Sequence, residues 1–234
     1  MPGTSVADGV RMRSLRLVPA LLTVGILLLG CSTAEKLVDR VADTGSGSGD
    51  RVLYLTFDDG PGGDTEKYLD VLRANNAKAT FFLVGRNLES RHELAKKTLA
   101  EGHVLANHSW NHTILTNDGD EELSRELDDT AKELQAVGAT GKCMRPPTGA
   151  IDPRVKKALD QRGMTSKLWH VDIGDWRNPG VDAIVDTLLS SAKPGAVILM
   201  HDGGGDRAQG AEALAKALPQ LVAQGYTFAP LPGC

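Results

Sequence analysis

"LYLTFDDGPG", Leu53–Gly62, is the stretch on which the reading of this chain turns. Its first half, Leu53 to Phe57, is a run of strand-forming residues. It ends in two adjacent carboxylates, Asp58 and Asp59, and then a Gly60-Pro61 pair. Asp-Gly and Gly-Pro are common turn signals. The alternative is a site at the tip of a buried strand, where one carboxylate binds a cation and the other moves a proton.

Working outward, apolar strand-like runs alternate with helical periodicity over the rest of the chain. Strands are predicted at Val52–Phe57, Lys78–Gly85, His103–Asn107, Lys142–Pro146, Thr165–Asp172, Gly195–His201 and Tyr226–Leu231. Helices are predicted at Asp64–Asn76, Glu89–Gly102, Asp120–Gly138, Asp152–Gly163, Asp182–Ala192 and Ala211–Gly225. Gly102 and Gly138 read as C-terminal stops, Asp152-Pro153 as a cap with proline in the first turn, and Pro219 as a bend or break. Such alternation predicts an α/β fold with parallel strands and external helices, either a barrel or an open doubly wound sheet.

On that map the polar residues converge. Asp58 and Asp59 follow the first strand, His108 and His112 the third, Arg145 the fourth, Asp172 and Asp175 the fifth, and His201 the sixth. In parallel α/β folds the carboxyl ends of strands share the face on which active sites are built. His92 and His103 receive no role, and His170, within a strand, reads as a packing residue. In "NHSWNH" the four-residue spacing of His108 and His112 puts both imidazoles on one side of a helix or tight turn. With one carboxylate this makes two nitrogens and one oxygen, the ligand pattern of catalytic zinc. One Asp then ligates, the metal offsetting the repulsion between the pair, and the other acts as general base.

"TFDDGP", "HSWNH", "RPPTG", "DIGDW" and "ILMHD", in this order, resemble the five motifs of the polysaccharide deacetylases with a NodB homology domain, carbohydrate esterase family 4. The resemblance covers Arg51 to Pro232 and implies an irregular (β/α)7-type barrel. It implies that Asp58 is the general base and that Asp59, His108 and His112 bind a divalent metal, Zn²⁺ in most relatives, with Co²⁺ as a substitute. It implies that Arg145 orients and charge-balances Asp58, and that Asp175 tunes His201, the proton donor to the leaving group. Trp176 and Leu199 would line the pocket for the acetyl methyl, and the Thr148 N–H would help hold the oxyanion. Thr148 is a departure, since relatives commonly carry an aromatic residue there; an open groove is expected. Asp172 has no assigned role beyond a strand-end cap. The implied reaction is removal of acetyl groups from an N-acetylglucosamine polysaccharide, peptidoglycan or chitooligosaccharide. Two alternatives stay open: an ester hydrolase acting on acetylated xylan, and an inactive metal- or glycan-binding domain.

The remaining sequence speaks to location and partners. Arg11, Arg13 and Arg16 precede an apolar stretch, Leu17–Gly30. At about 14 residues it is shorter than the roughly 20 a membrane span needs, so it reads as an export signal. It runs into "LLGC", which resembles a lipobox with Cys31 as the lipidated residue, although Leu29 is unusual there. A plain signal peptide or an uncleaved anchor is the alternative, and Met12 could serve as the start. Residues 1–30 are thus assigned to a lipoprotein signal, 31–50 to the anchored Cys and a Gly/Ser tether, and 51–234 to the catalytic domain. The protein is expected on the outer face of a bacterial cytoplasmic membrane, or secreted, and as a monomer. The net charge of −4, with no basic block, argues against a nucleic-acid partner. Cys143 and Cys234 are expected to pair in an oxidising compartment, with free thiols as the alternative.

Overall fold

The structure, a computed structural model, describes residues 51–234. The expectations for Cys31, the leader and the tether lie outside that range. Eight strands form one parallel sheet: β1 (Arg51–Gly60), β2 (Ala79–Leu83), β3 (Val104–Asn107), β4 (Cys143–Met144), β5 (Thr165–Ser166), β6 (Val171–Asp172), β7 (Val197–His201) and β8 (Tyr226–Phe228). Their order is β5-β4-β3-β2-β1-β7-β6, with β8 pairing to the first residues of β1. Seven helices connect them: α1 (Thr65–Ala74), α2 (Gly85–Glu89), α3 (His92–Ala100), α4 (Asp120–Ala136), α5 (Pro153–Gln161), α6 (Val181–Ser191) and α7 (Ala208–Ala223).

The period-2 alternation of side chains in β1 divides the molecule into two faces. Leu53, Leu55 and Phe57 enter the main core with Phe81, Leu105, Ile198 and Met200 of neighbouring strands and Leu69, Leu72, Leu214 and Leu218 of the helices. Burying each such side chain contributes about 1.5–3 kcal/mol. Phe57 stacks on Phe81 at 4.9 Å and meets Tyr68 of α1 edge-on at 5.0 Å. The intervening residues face the other way. Tyr54 packs with Phe82, Ala106, Cys143, Val197 and Leu231 in a smaller interior cluster, while Thr56 and Asp58 are buried polar groups.

The sequence predicts one strand over Thr165–Asp172; the structure divides it. Thr165–Ser166 pair with β4 and Val171–Asp172 with β7, at opposite edges of the sheet. Four residues, Lys167–His170, connect them. A chain that short spans at most about 17 Å, so the two edges must curl toward each other. The result is an irregular barrel whose last gap is crossed by backbone. Lys167 N donates to Met144 O and His170 N to Val197 O. Arg145, fully buried, donates from Nε to Lys167 O and from Nη2 to Leu168 O. A guanidinium thus satisfies carbonyls that a neighbouring strand would otherwise have bonded.

Other sequence expectations are also refined. The helix predicted from Glu89 to Gly102 is two helices, α2 and α3, and α7 runs through Pro219 without a break. His170 lies outside any strand, and its Nδ1 accepts from Val197 N. Asp152 caps α5 by accepting from Val155 N at 2.7 Å. Near the floor of the barrel, Leu231 N donates to Thr80 Oγ1. The sulfurs of Cys143 and Cys234 lie 2.07 Å apart there, joined across 91 residues.

Candidate active site

Asp58 and Asp59 occupy consecutive positions at the end of β1, where a regular strand would aim them to opposite faces. The register against β2 slips between Asp58 and Gly60, so Asp59 is the extra residue of a bulge. Its φ of 71° turns it toward the side occupied by Asp58. Gly60 is required beneath the bulge, since a Cβ there would sit 2.4 Å from the buried carboxyl of Asp202. The bulge explains how a strand tip can present two adjacent carboxylates to one cavity.

Asp59 meets His108 and His112 there. Asp59 Oδ1 is 3.4 Å from His108 Nε2 and 3.1 Å from His112 Nε2, and the imidazole centroids are 4.9 Å apart. The three donor atoms lie within 4.8 Å of one another. Asp59 Oδ1 is buried without a hydrogen-bond partner. His108 Nδ1 is hydrogen-bonded to Arg145 O at 2.7 Å, which fixes the ring and leaves Nε2 as the free lone pair. Burial pushes Asp59 upward, but the neighbouring imidazoles of His108, His112 and His201 outweigh it and bring its pKa to about 2. Burial, reinforced by His108, lowers His112 below the usual histidine range. An ionised Asp59 and a His112 biased toward its neutral form suit metal ligation, which needs deprotonated donors. The residues fit a divalent cation.

The two histidines do not stand on a helix. They flank a tight loop after β3 in which Ser109 and His112 take φ values of 66° and 61°. Asn107 Oδ1 accepts from Ser109 N, and Ser109 Oγ accepts from His112 N.

Asp58 is held on the opposite side of its carboxylate. Arg145 Nη1 donates to Asp58 Oδ1 at 2.7 Å and to Thr56 Oγ1 at 2.8 Å. The guanidinium lies 4.0 Å from the Phe82 ring centroid and 5.5 Å from that of Trp169. Asp58 Oδ2 points toward His108 Nε2, 3.6 Å away. On the adjacent strand β7, His201 is the register partner of Asp58. Asp175 grips it twice, accepting from His201 N at 2.8 Å and pairing with Nδ1 at 2.9 Å. Burial works against the imidazolium, yet the hydrogen bond and charge of Asp175, with Asp58 and Asp59, raise the His201 pKa above its ordinary value.

Asp58, Asp59, His108, His112 and His201 line a cavity of about 400 Å³ together with Thr148, Leu199 and Trp176, while Arg145 and Asp175 are fully buried behind them. Leu199 is buried, Trp176 is 45% exposed at the rim, and exposed Thr148 takes a left-handed φ of 59°. Asp172 accepts from Gly174 N and from the indole Nε1 of Trp176, a turn cap that also holds the rim tryptophan.

Sequence reasoning missed four contributors. Trp169 lines the cavity from the crossing segment. Arg207, nearly buried, donates to Gly203 O, Gly204 O and Trp176 O, tying the turn that carries Asp175 to the loop after His201. Glu126 of α4 contacts the metal loop. Asp202, whose carboxyl is raised to about 7 by burial and the nearby Asp59 and Asp58 charges against a hydrogen bond from Thr65, packs under the bulge. The run Gly203–Gly205 was a signal for this packing. A Cβ at Gly203 would lie 2.1 Å from Asp59 O, and one at Gly204 2.5 Å from Asp59 Oδ2.

Comparison with known proteins gives the same picture. The polysaccharide deacetylase family matches residues 45–166. A peptidoglycan-N-acetylglucosamine deacetylase of Bacillus cereus is 41% identical over 182 residues, covering 76% of this chain and 85% of that protein. A chitooligosaccharide deacetylase of Rhizobium leguminosarum bv. trifolii is 36% identical over 205 residues, covering 80% and 93%. The structure of a family 4 carbohydrate esterase from Streptomyces lividans in complex with acetate superposes with a TM-score of 0.72 at 32% identity, covering 79% of this chain and 93% of that one. This chain belongs to the polysaccharide deacetylase family, the family 4 carbohydrate esterases, which use a divalent metal.

Proposed function

We propose that the protein hydrolyses the N-acetyl group of N-acetylglucosamine units in a bacterial-type polysaccharide, with peptidoglycan as first choice and chitooligosaccharide as second. One observation carries the reading: Asp58 and His201 are register partners on neighbouring strands, each fixed by its own buried partner, beside a cation-ready Asp-His-His set. Names of relatives support the substrate class.

Asp59, His108 and His112 hold the cation, and their two imidazoles and one carboxylate suit Zn²⁺, with Co²⁺ as a substitute. Bound there, the cation supplies Lewis-acid polarisation of the acetyl carbonyl. Asp58, its Oδ1 held by Arg145, uses Oδ2 to take a proton from the attacking water. As oxygen adds to the carbonyl carbon, the N–H of Thr148 stabilises the developing negative charge. The C–N bond then breaks, and His201 gives its proton to the departing amine, leaving acetate and a free glucosamine. Asp175 holds the imidazole in the tautomer that does this. Leu199 and Trp176 accommodate the acetyl methyl.

Acetate release from peptidoglycan, chitooligosaccharide and acetylated xylan, each with and without added Zn²⁺, tests the proposal. Release is expected from an N-acetyl polymer and should disappear on chelation. Full activity in metal-free protein, or release from xylan alone, would overturn it. Arg11, Arg13, Arg16, the apolar stretch to Gly30 and Cys31 support a lipid anchor on the outer face of the cytoplasmic membrane. Cys31→Ser should abolish acylation, read by mass spectrometry of the mature protein, without altering the specific activity of the catalytic domain.

A further inference from the structure

We infer that Glu126, on α4 and outside the five motifs, sets the affinity of the metal site by holding the His108–His112 loop in its binding conformation; this rests on the metal site proposed above. Glu126 is 1% exposed and makes no ion pair among the described residues. A buried carboxylate without a cation is costly unless donors surround it. All three of its side-chain hydrogen-bond partners belong to the metal loop. Oε2 accepts from Trp110 N and Asn111 N, both at 2.8 Å, and Oε1 accepts from Asn111 Nδ2 at 2.9 Å. The residues it grips are the two that separate Ser109 from His112, the loop's left-handed positions. Such backbone is strained and persists only when its surroundings over-determine it.

The bonds from Asn107 and Ser109 are internal to the loop region and would travel with it. Gly85 N and Arg86 N of α2 hold the loop's other face, donating to Ser109 O and Trp110 O. Glu126 is the charged member of this set. It reaches from a different helix and anchors the N–H groups adjacent to His112. Charge-assisted bonds are about twice as strong as neutral ones. Among the described residues, His112 has no side-chain hydrogen bond comparable to the one from His108 Nδ1 to Arg145 O, so its position depends on the backbone of this loop. Glu126 is therefore a positioning residue for metal capture.

The test is a Co²⁺ titration of the metal-free full chain, followed by visible absorption, beside thermal melts of the metal-free and Co²⁺-loaded forms. Glu126→Gln keeps the shape but turns an amide toward backbone N–H groups. It should weaken Co²⁺ binding by about ten- to a hundredfold, the usual range for groups that orient metal ligands. Glu126→Asp should fall between it and wild type. Should Glu126→Gln fail to fold, Asn111→Ala removes only the bond to Oε1 and should weaken Co²⁺ severalfold. Unchanged Co²⁺ affinity in the folded variants, with both melts lowered equally, overturns the inference and leaves Glu126 a purely structural residue. Wild-type protein that takes up no Co²⁺, or His112→Ala that binds it as well as wild type, overturns the metal site itself and the inference with it.

Discussion

The two halves of the cavity are built on different plans. On the side of β1 and β3, Asp58, Asp59, His108 and His112 crowd together, with Arg145 as the buried cation and Asp59 Oδ1 left without a partner. This side depends on unusual backbone at three positions: the bulge at Asp59 and the left-handed Ser109 and His112. On the side of β7, Asp175 and His201 form a dyad whose contacts close on themselves, and Arg207 clips the two supporting loops together. The first half gathers donor atoms that suit a cation; the second is closed by contacts within the chain. The energetic consequence is that metal should govern the first half and leave the second intact.

The largest expected effect comes from the first half. Asp58→Asn should keep the metal and lose about 10²- to 10⁴-fold in turnover, since that is what a general base contributes. Metal content and kcat measured on one preparation decide the matter; normal turnover with metal bound removes Asp58 as base. Next in size is the coupling of metal to stability. At a free Zn²⁺ concentration about a hundred times Kd, folding should gain about 2.7 kcal/mol. Calorimetric melts should show that gain retained in His201→Ala and lost in His108→Ala; a loss in both would erase the distinction between the halves.

The smallest effect concerns Asp175→Asn, which should lower kcat about tenfold and reshape the pH profile. His201 must be protonated to donate, so activity falls as pH rises through its pKa. Asp175 raises that pKa, and its neutralisation should therefore move the alkaline limb of kcat to lower pH. The acid limb should stay in place. An alkaline limb that does not move would assign it to some other group.

Much of this was legible in the sequence, and the exceptions share a cause. β1, β2, β3, β7 and most helices announce themselves by periodicity, and the residues that meet in the cavity, Asp58, Asp59, His108, His112 and His201, with Arg145 and Asp175 behind them, could be named from motif order. The segment Thr165–Asp172 misled because its composition suits a strand, whereas its carbonyls go to Arg145 from another part of the chain. Glu126 had a signal that went unread: it shares the buried stripe of α4 with Leu123, Leu127 and Thr130, where an acid in an otherwise surface-charged helix is out of place. Arg207 offered no such pattern, because its acceptors are backbone carbonyls, which sequence does not distinguish. The left-handed turns at Asp59 and His112 were invisible for the same reason; they follow from packing against Gly203, Gly204 and α4 rather than from local preference.

The position of β1 in the middle of the sheet bears on how the protein reaches its working form. The first strand of the described domain lies between β2, its near neighbour in sequence, and β7, some of whose partner residues lie about 140 positions later. Pairings of such high sequence separation form slowly, because loop-closure entropy is lost before any contact compensates for it. A growing chain that has not yet produced Val197–His201 has Asp58, His108 and His112 but not the opposing His201, and the edge of β1 that β7 would cover stays open. Such a chain offers an unpaired strand to other chains and to chaperones. The same topology that sets Asp58 beside His201 postpones completion of the cavity until most of the domain has been made.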